Sequence, residues 1–339
     1  MTRRSTHRAV TVSVAAVAAA GLLTGCAPAA QSVLGLQANT AVLSSRPAIT
    51  TEQATRVSQR ALGQAQRADA LRTQDAAQTA FTGLALQTAP PRYVVEKVLD
   101  PSKNTSGGAL QPTIEPTRIV VTAGRTFPRT VIAVWTPDGA STQQIAVLDS
   151  PDVRSPFRVS SRVDLLPGVG LPATAPNTRG ASMLPADVAG LAATPTAAVK
   201  DFAALLQTGR PQKTKFAANK VVTDVRAKAA AQAKSVKAVA VFTQTHAPQK
   251  NGMRVFRTAD GGAVVVAAID RLDRFTVRKG AGVINPPPAY RALGGGMKKI
   301  TKVATVRTVQ MVVFAVPPQG KGPVQLLGFT EDPVAVTGS

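Results

Sequence analysis

Few residues in this chain are of a type that does chemistry. Cys26 is its only cysteine, so the rest of the chain has no thiol for a nucleophile or zinc site and no disulfide. His246 is the one histidine beyond the first ten residues. Any Ser-His-Asp or Cys-His pair would have to use it. It sits in Thr243-Gln244-Thr245-His246-Ala247-Pro248, at an expected strand end. No nucleophile elbow and no S-x-x-K motif accompanies it, so it reads as a surface or hydrogen-bonded histidine. Zinc needs several His or Cys ligands, and the sequence does not supply them. The closest carboxylate pairs are Asp149/Asp152 and Asp270/Asp273. Asp149 and Asp152 flank a proline and read as turn residues. Asp270 and Asp273 point to opposite faces of a strand, each beside an arginine, and read as surface ion pairs. Neither pair makes a calcium loop or a glycosidase site. Gly294-Gly295-Gly296-Met297-Lys298-Lys299 lacks a Walker ending, and Gly280 to Lys298 reads as a mobile basic loop. No catalytic residue and no metal site is expected.

Cys26 has a specific context. Arg3, Arg4 and Arg8 precede an apolar run from Ala9 to Leu23, the charged and apolar regions of a secretory signal. Fifteen residues fall short of the ~20 that span a bilayer core. Arg3-Arg4 lacks the apolar residues that follow a twin-arginine export pair, which favours general secretion. The run ends in Leu23-Thr24-Gly25-Cys26, which resembles the lipobox of bacterial lipoproteins. That resemblance implies cleavage before Cys26 and a diacylglyceryl group on its sulfur. Two acyl chains anchor stably where one does not. The expected location is the extracytoplasmic face of a cell membrane, and the expected cofactor list holds nothing beyond this lipid.

The formal charge is +22, and such an excess favours polyanions. Outside a cytoplasmic membrane these are anionic lipid headgroups and wall polymers, not nucleic acid. Two basic sets stand out as candidate contacts. One is Lys213 and Lys215 with Lys220, Arg226, Lys228, Lys234 and Lys237 on the polar side of an amphipathic helix. The other is Arg118, Arg125, Arg129, Arg154, Arg158 and Arg162 in the first half, near Phe127 and Trp135.

The elements that must position these residues divide the chain. Residues 1–25 are the leader and 26–47 a lipidated tether, whose flexible part averages about 25 Å end to end. Over 48–167, helical spacing from Thr50 onward is followed by a piece from Asp75 to Thr88, which Pro90-Pro91 should end. Strand-like runs follow at Tyr93 to Leu99, Arg118 to Thr122, Thr130 to Trp135, Gln143 to Leu148 and Phe157 to Leu166. Residues 168–185, rich in Gly and Pro, read as a linker. Over 186–339, helices starting at Thr194-Pro195 and at Ala217 precede five strand-like runs. Both halves place an Asp-Gly hairpin inside the meander. The expectation is an α+β fold of two similar domains, each with N-terminal helices packed on a curved antiparallel sheet. Such a plan resembles cystatin-like and nuclear-transport-factor-2-like folds, whose concave sheet face can be a pocket or an interface.

The chain also resembles a group of uncharacterised two-domain lipoproteins from actinobacteria. The resemblance rests on the lipobox, Thr82-Gly83-Leu84-Ala85-Leu86, Phe127-Pro128-Arg129, and Ser155-Pro156-Phe157-Arg158 leading to Leu165-Leu166-Pro167-Gly168. It implies a cell-envelope location and supplies no catalytic residues. The expected role is a non-enzymatic binding or scaffold protein of the envelope, in contact with anionic polymer, lipid or another envelope protein. The alternatives are a pocket-based hydrolase or small-ligand carrier, and an assembly subunit of an envelope complex.

Overall fold

The computed structural model describes residues 46–101 and 114–339. The segments read as leader and tether, up to residue 45 and with Cys26 among them, lie outside the described residues. Thr50 and Gln53 form the expected capping box, each side chain accepting from the other's backbone N–H, and begin α1 (Thr51–Leu71). A short α2 (Gln74–Ala80) follows. Then comes α3 (Gly83–Leu99), with Pro90 and Pro91 in its interior. The prolines do not stop the helix, and the strand expected over Tyr93 to Leu99 is its second half. A proline costs the helix a backbone bond and some geometry. Here Leu84, Ala85, Thr88, Ala89 and Tyr93 are all buried on one face, and that packing carries the helical period through the break.

The first sheet is a four-stranded antiparallel meander: β1 (Arg118–Val121), β2 (Arg129–Trp135), β3 (Gln144–Ser150) and β4 (Arg158–Asp164). The second half opens with α4 (Pro195–Thr208), whose Thr194 cap accepts from Ala197 N–H, and α5 (Lys220–Val236), capped by Asn219 rather than starting at Ala217. The second sheet has β5 (Ala240–Pro248), β6 (Arg254–Arg257), β7 (Ala263–Val277), β8 (Val303–Val316) and β9 (Gln325–Gly338) in order β5-β7-β8-β9. β5 and β6 pair with successive halves of β7, so they are two pieces of one interrupted edge. The segment 280–298 is not free: Ile284 bridges Ile300, and a helical turn, α6 (Pro288–Leu293), buries Ala289.

The fold class is α+β with two antiparallel sheets, as expected, but the sheets share a core. Val120, Ile132, Ile145 and Val163 of the first sheet pack with Val264, Val266, Met311 and Val313 of the second. The other face of the first sheet carries α1–α3, through Phe81, Tyr93, Val131 and Leu148. The other face of the second carries α4 and α5, through Phe202, Leu206, Val265 and Phe314. The order of layers is therefore helix, sheet, sheet, helix. The described residues, 46–101 and 114–339, belong to one compact unit.

Both sides of the sandwich are closed by backbone pairing. On one side Leu165 bridges Gly328, and Leu166 N–H donates to Leu327 O at 2.8 Å. A Cβ on Gly328 would lie 2.8 Å from Asp164 O, so this approach requires glycine. On the other side runs the segment read as a linker. Ala181 N–H donates to Val121 O, and Asn177 accepts from Val121 N–H while donating to Ile119 O. Leu184 N–H and Arg257 N–H tie the same segment to β6. Residues 168–185 do connect the two halves, but as a docked strip: unpaired strand edges leave backbone groups that must find partners.

Candidate functional site

Four of the six arginines of the second basic set come together; Arg118 instead donates to Leu171 O and Pro172 O, and Arg162 pairs with Asp69. Arg125 lies in the β1–β2 connection and Arg129 begins β2, while Arg154 lies in the β3–β4 connection and Arg158 begins β4. Arg129 pairs with Ser150, and Asp149 with Arg158, so the two connections lie side by side at one end of the first sheet. Gly124 N–H donates to Arg46 O, and Ala123 N–H to Ala181 O. These bonds bring Arg46 and Arg179 to the same end. Arg46, Arg125, Arg154 and Arg179 are exposed, and none of them has an ion-pair partner among the described residues. Arg158 donates to Gln78 O at 3.1 Å, and Arg129 lies 4.8 Å over the Phe127 ring.

The acids at this end are already engaged. Asp149 is not a turn residue. It is buried in β3, accepts from Thr130 Oγ1 at 2.6 Å and pairs with Arg254 at 2.8 Å. Asp152 does sit in the turn, where Ser155 Oγ and the N–H groups of Arg154 and Ser155 donate to it and hold its pKa below the usual carboxylate value. Ser150 Oγ shares its one proton between Asp152 O at 2.9 Å and Ser155 O at 2.8 Å. This stiffened turn displays Val153 at its tip, 81 % exposed. Phe127, on the neighbouring loop, is also exposed. Trp135 is buried at the opposite end of β2 and does not belong to this surface.

The first basic set is more dispersed. Lys213 and Lys215 line an open cleft of about 840 Å3 between the segment 211–216 and the β8–β9 connection. Its floor includes Leu205 and Phe216, the latter packed on Phe202 and Phe314. Along α5, Lys220 pairs with Asp224 at 2.6 Å, and Lys228 lies 3.8 Å from Glu331. Arg226 donates to Gln207 O at 2.9 Å, satisfying the end of α4 rather than facing an anion. Lys234 and Lys237 are exposed.

Two further polar clusters form, and of their members only Arg162, His246, Asp270 and Asp273 were singled out in the sequence. In the first, Asp69 accepts from Arg92 (2.7 Å), Arg162 (2.6 Å) and Tyr93 Oη (2.8 Å). Burial opposes the Asp69 charge, but Arg162 and Arg92 outweigh it and hold its pKa down. Beyond these arginines is a cavity of about 190 Å3 with Asp164 and Asp332 on its wall. Burial raises the pKa of Asp332, against the pull of Arg92 and Arg162. The space suits a few waters rather than a substrate.

The second cluster is on the helix-bearing face of the second sheet. His246 is buried, not at the surface, and neither ring nitrogen has a partner among the described residues. Burial, and then the charge of Arg271, push its pKa down to about 4. Arg271 pairs with Asp273 (3.2 Å) and Glu331 (2.7 Å). Asp270 pairs with Arg307 at 2.9 Å on the opposite face. Both aspartates are ion-paired, but not at the surface as expected: Asp273 is buried, and the partner of the partly buried Asp270 is Arg307 and not an adjacent arginine. Among the described residues no group of His, Cys, Asp and Glu is placed to hold a metal ion, and no helix is long and apolar enough to cross a membrane.

A family model described as a domain of unknown function (DUF8094) matches residues 128–338, which is more than half of the chain. The chain belongs to this family. No curated protein and no solved structure matches it.

The DUF8094 match begins one residue before β2 and runs to the last residue of β9. It takes in Arg129, Val153, Arg154 and Arg158, while Arg46, Arg125 and Phe127 precede it. Sequence reasoning missed Arg46, Arg179 and Val153. Arg46 and Arg179 reach this end through pairing with β1, which has no local signature. Val153 did leave a signal: one apolar side chain in the otherwise polar turn Ser150-Pro151-Asp152-Val153-Arg154-Ser155.

Proposed function

We propose that this protein is a lipid-anchored, extracytoplasmic binding protein of the cell envelope, held by Cys26 and engaging an anionic envelope component without chemistry of its own. The observation that carries the reading is the convergence of Arg125, Arg129, Arg154 and Arg158, distant in sequence, at the end of the sheet where the chain arrives from the tether at Arg46. Clustered arginines bind phosphate and carboxylate groups well because the guanidinium presents several donors in a plane. The lipobox supports the anchor. The sheet faces expected to form pockets are packed on each other, which weakens the hydrolase alternative. A second reading, carriage of an anionic amphiphile, is favoured by the cleft that sets Lys213 and Lys215 above the Phe216 floor.

Detergent-phase partition of cell extracts tests the anchor. The native chain should enter the detergent phase, and Cys26→Ala should move to the aqueous phase. A Cys26→Ala chain that stays with detergent would end the anchor reading.

A further inference from the structure

We infer that the arginine-rich end is a membrane-docking face for anionic phospholipid, with Val153 and Phe127 entering the interface between headgroups and acyl chains. The inference rests on the binding reading above and goes further by naming the partner and the face.

Charge alone would fit a sugar-phosphate polymer equally well. The apolar tips decide between the two. Val153 is 81 % exposed, yet it is held outward by a turn tied by the Ser150 hydroxyl and by three donors on Asp152. A polar polymer offers no reward for displaying an apolar side chain in this way. A bilayer does: an apolar tip flanked by cations is the pattern of interfacial insertion, with apolar atoms in the acyl boundary and guanidinium groups at the phosphates. Phe127 supplies a second tip beside Arg129, and Arg125 and Arg154 lie next to the two tips in sequence. The chain reaches this end at Arg46, about twenty residues after Cys26, so a lipid on Cys26 would hold the face near a bilayer at high local concentration. The acids at this end, Asp149 and Asp152, are bound by Arg254 and by the turn and leave the outward charge positive.

The test is flotation of residues 27–339, which keep the whole compact unit, with vesicles of phosphatidylglycerol or of phosphatidylcholine at low salt. Binding should be roughly tenfold or more tighter to phosphatidylglycerol. Val153→Ser and the pair Arg125→Ala/Arg154→Ala should each weaken it by up to about tenfold, with an unchanged unfolding midpoint. Val153→Ser should leave any binding to purified wall material untouched. Equal binding to both vesicles, or full binding by both variants, would overturn the inference. So would Val153→Ser weakening wall and vesicle binding alike. The vesicle arm uses no lipid on Cys26, so it fails separately from the anchor, which detergent partition reads.

Discussion

Arg254 Nη2 donates to Asp149 Oδ2 at 2.8 Å, joining the second sheet to the first across the open end of their shared core. Asp149 is 5 % exposed and also accepts from Thr130. Removing either partner leaves a charge with poor solvation, which costs far more than the pair contributes net. Arg254 is partly exposed, which reduces the penalty. Asp149→Ala should destabilise the chain by about 2–4 kcal/mol. A double-mutant cycle with Arg254→Ala, read by urea unfolding, should give a coupling energy above ~1 kcal/mol. Additive effects would mean that the ion pair does not couple the sheets.

The shared core makes a second prediction. Two domains joined by a linker would unfold in two steps, whereas one sandwich should unfold in one. Ile132→Ala in the first sheet should cost ~2–5 kcal/mol and lower the same transition as Val313→Ala in the second. Calorimetry resolving two independent transitions, each moved by only one substitution, would contradict this.

Much of the fold was legible because it is local. The Thr50–Gln53 capping box, the Thr194 cap and seven of the nine strands follow from side-chain chemistry and period within a dozen residues. β5 and β9 were recognised, but each runs further than its apolar pattern. Pro90-Pro91 misled because a local rule met a helix whose buried face outweighed it. The docking of residues 168–185 was hidden for a different reason. A Gly- and Pro-rich segment without apolar period looks the same whether it is free or pinned, and its bonds to β1 and β6 come from residues far away in sequence. The functional surface divides in the same way. Six arginines were visible as a set, but which four of them converge depends on strand register, and Arg226 was spent on a helix end that the sequence does not show to be near.

That docked strip is testable. Gly180 has φ 79°, and a Cβ there would lie 2.7 Å from Ala123 N. Gly180→Ala should therefore destabilise by more than ~1 kcal/mol. It should also speed limited proteolysis within 168–185. An unchanged cleavage rate would mean that the strip is not held by this contact.

His246 predicts a pH dependence. Its folded pKa of about 4 lies below the ~6.5 of an unfolded histidine, so the unfolded chain binds the extra proton first. The neutral ring's contribution is full above pH ~6.5 and is lost as pH falls toward 4, by up to about 3 kcal/mol. Arg271 faces the ring and opposes its protonation. Asp273, whose pKa burial raises, works in the opposite direction at the acid end. His246→Leu should flatten the stability profile between pH 4 and 6.5. An unchanged slope would remove His246 as its source.

The most direct test of the binding account is cosedimentation of residues 27–339 with anionic vesicles and with purified wall material over a salt series. The account predicts binding at 0.01 M salt that fades toward 0.15 M, as the screening length falls from ~30 Å to ~8 Å. It also predicts a shallower salt slope for Arg125→Ala/Arg154→Ala. Binding to neither material at the lowest salt would contradict it.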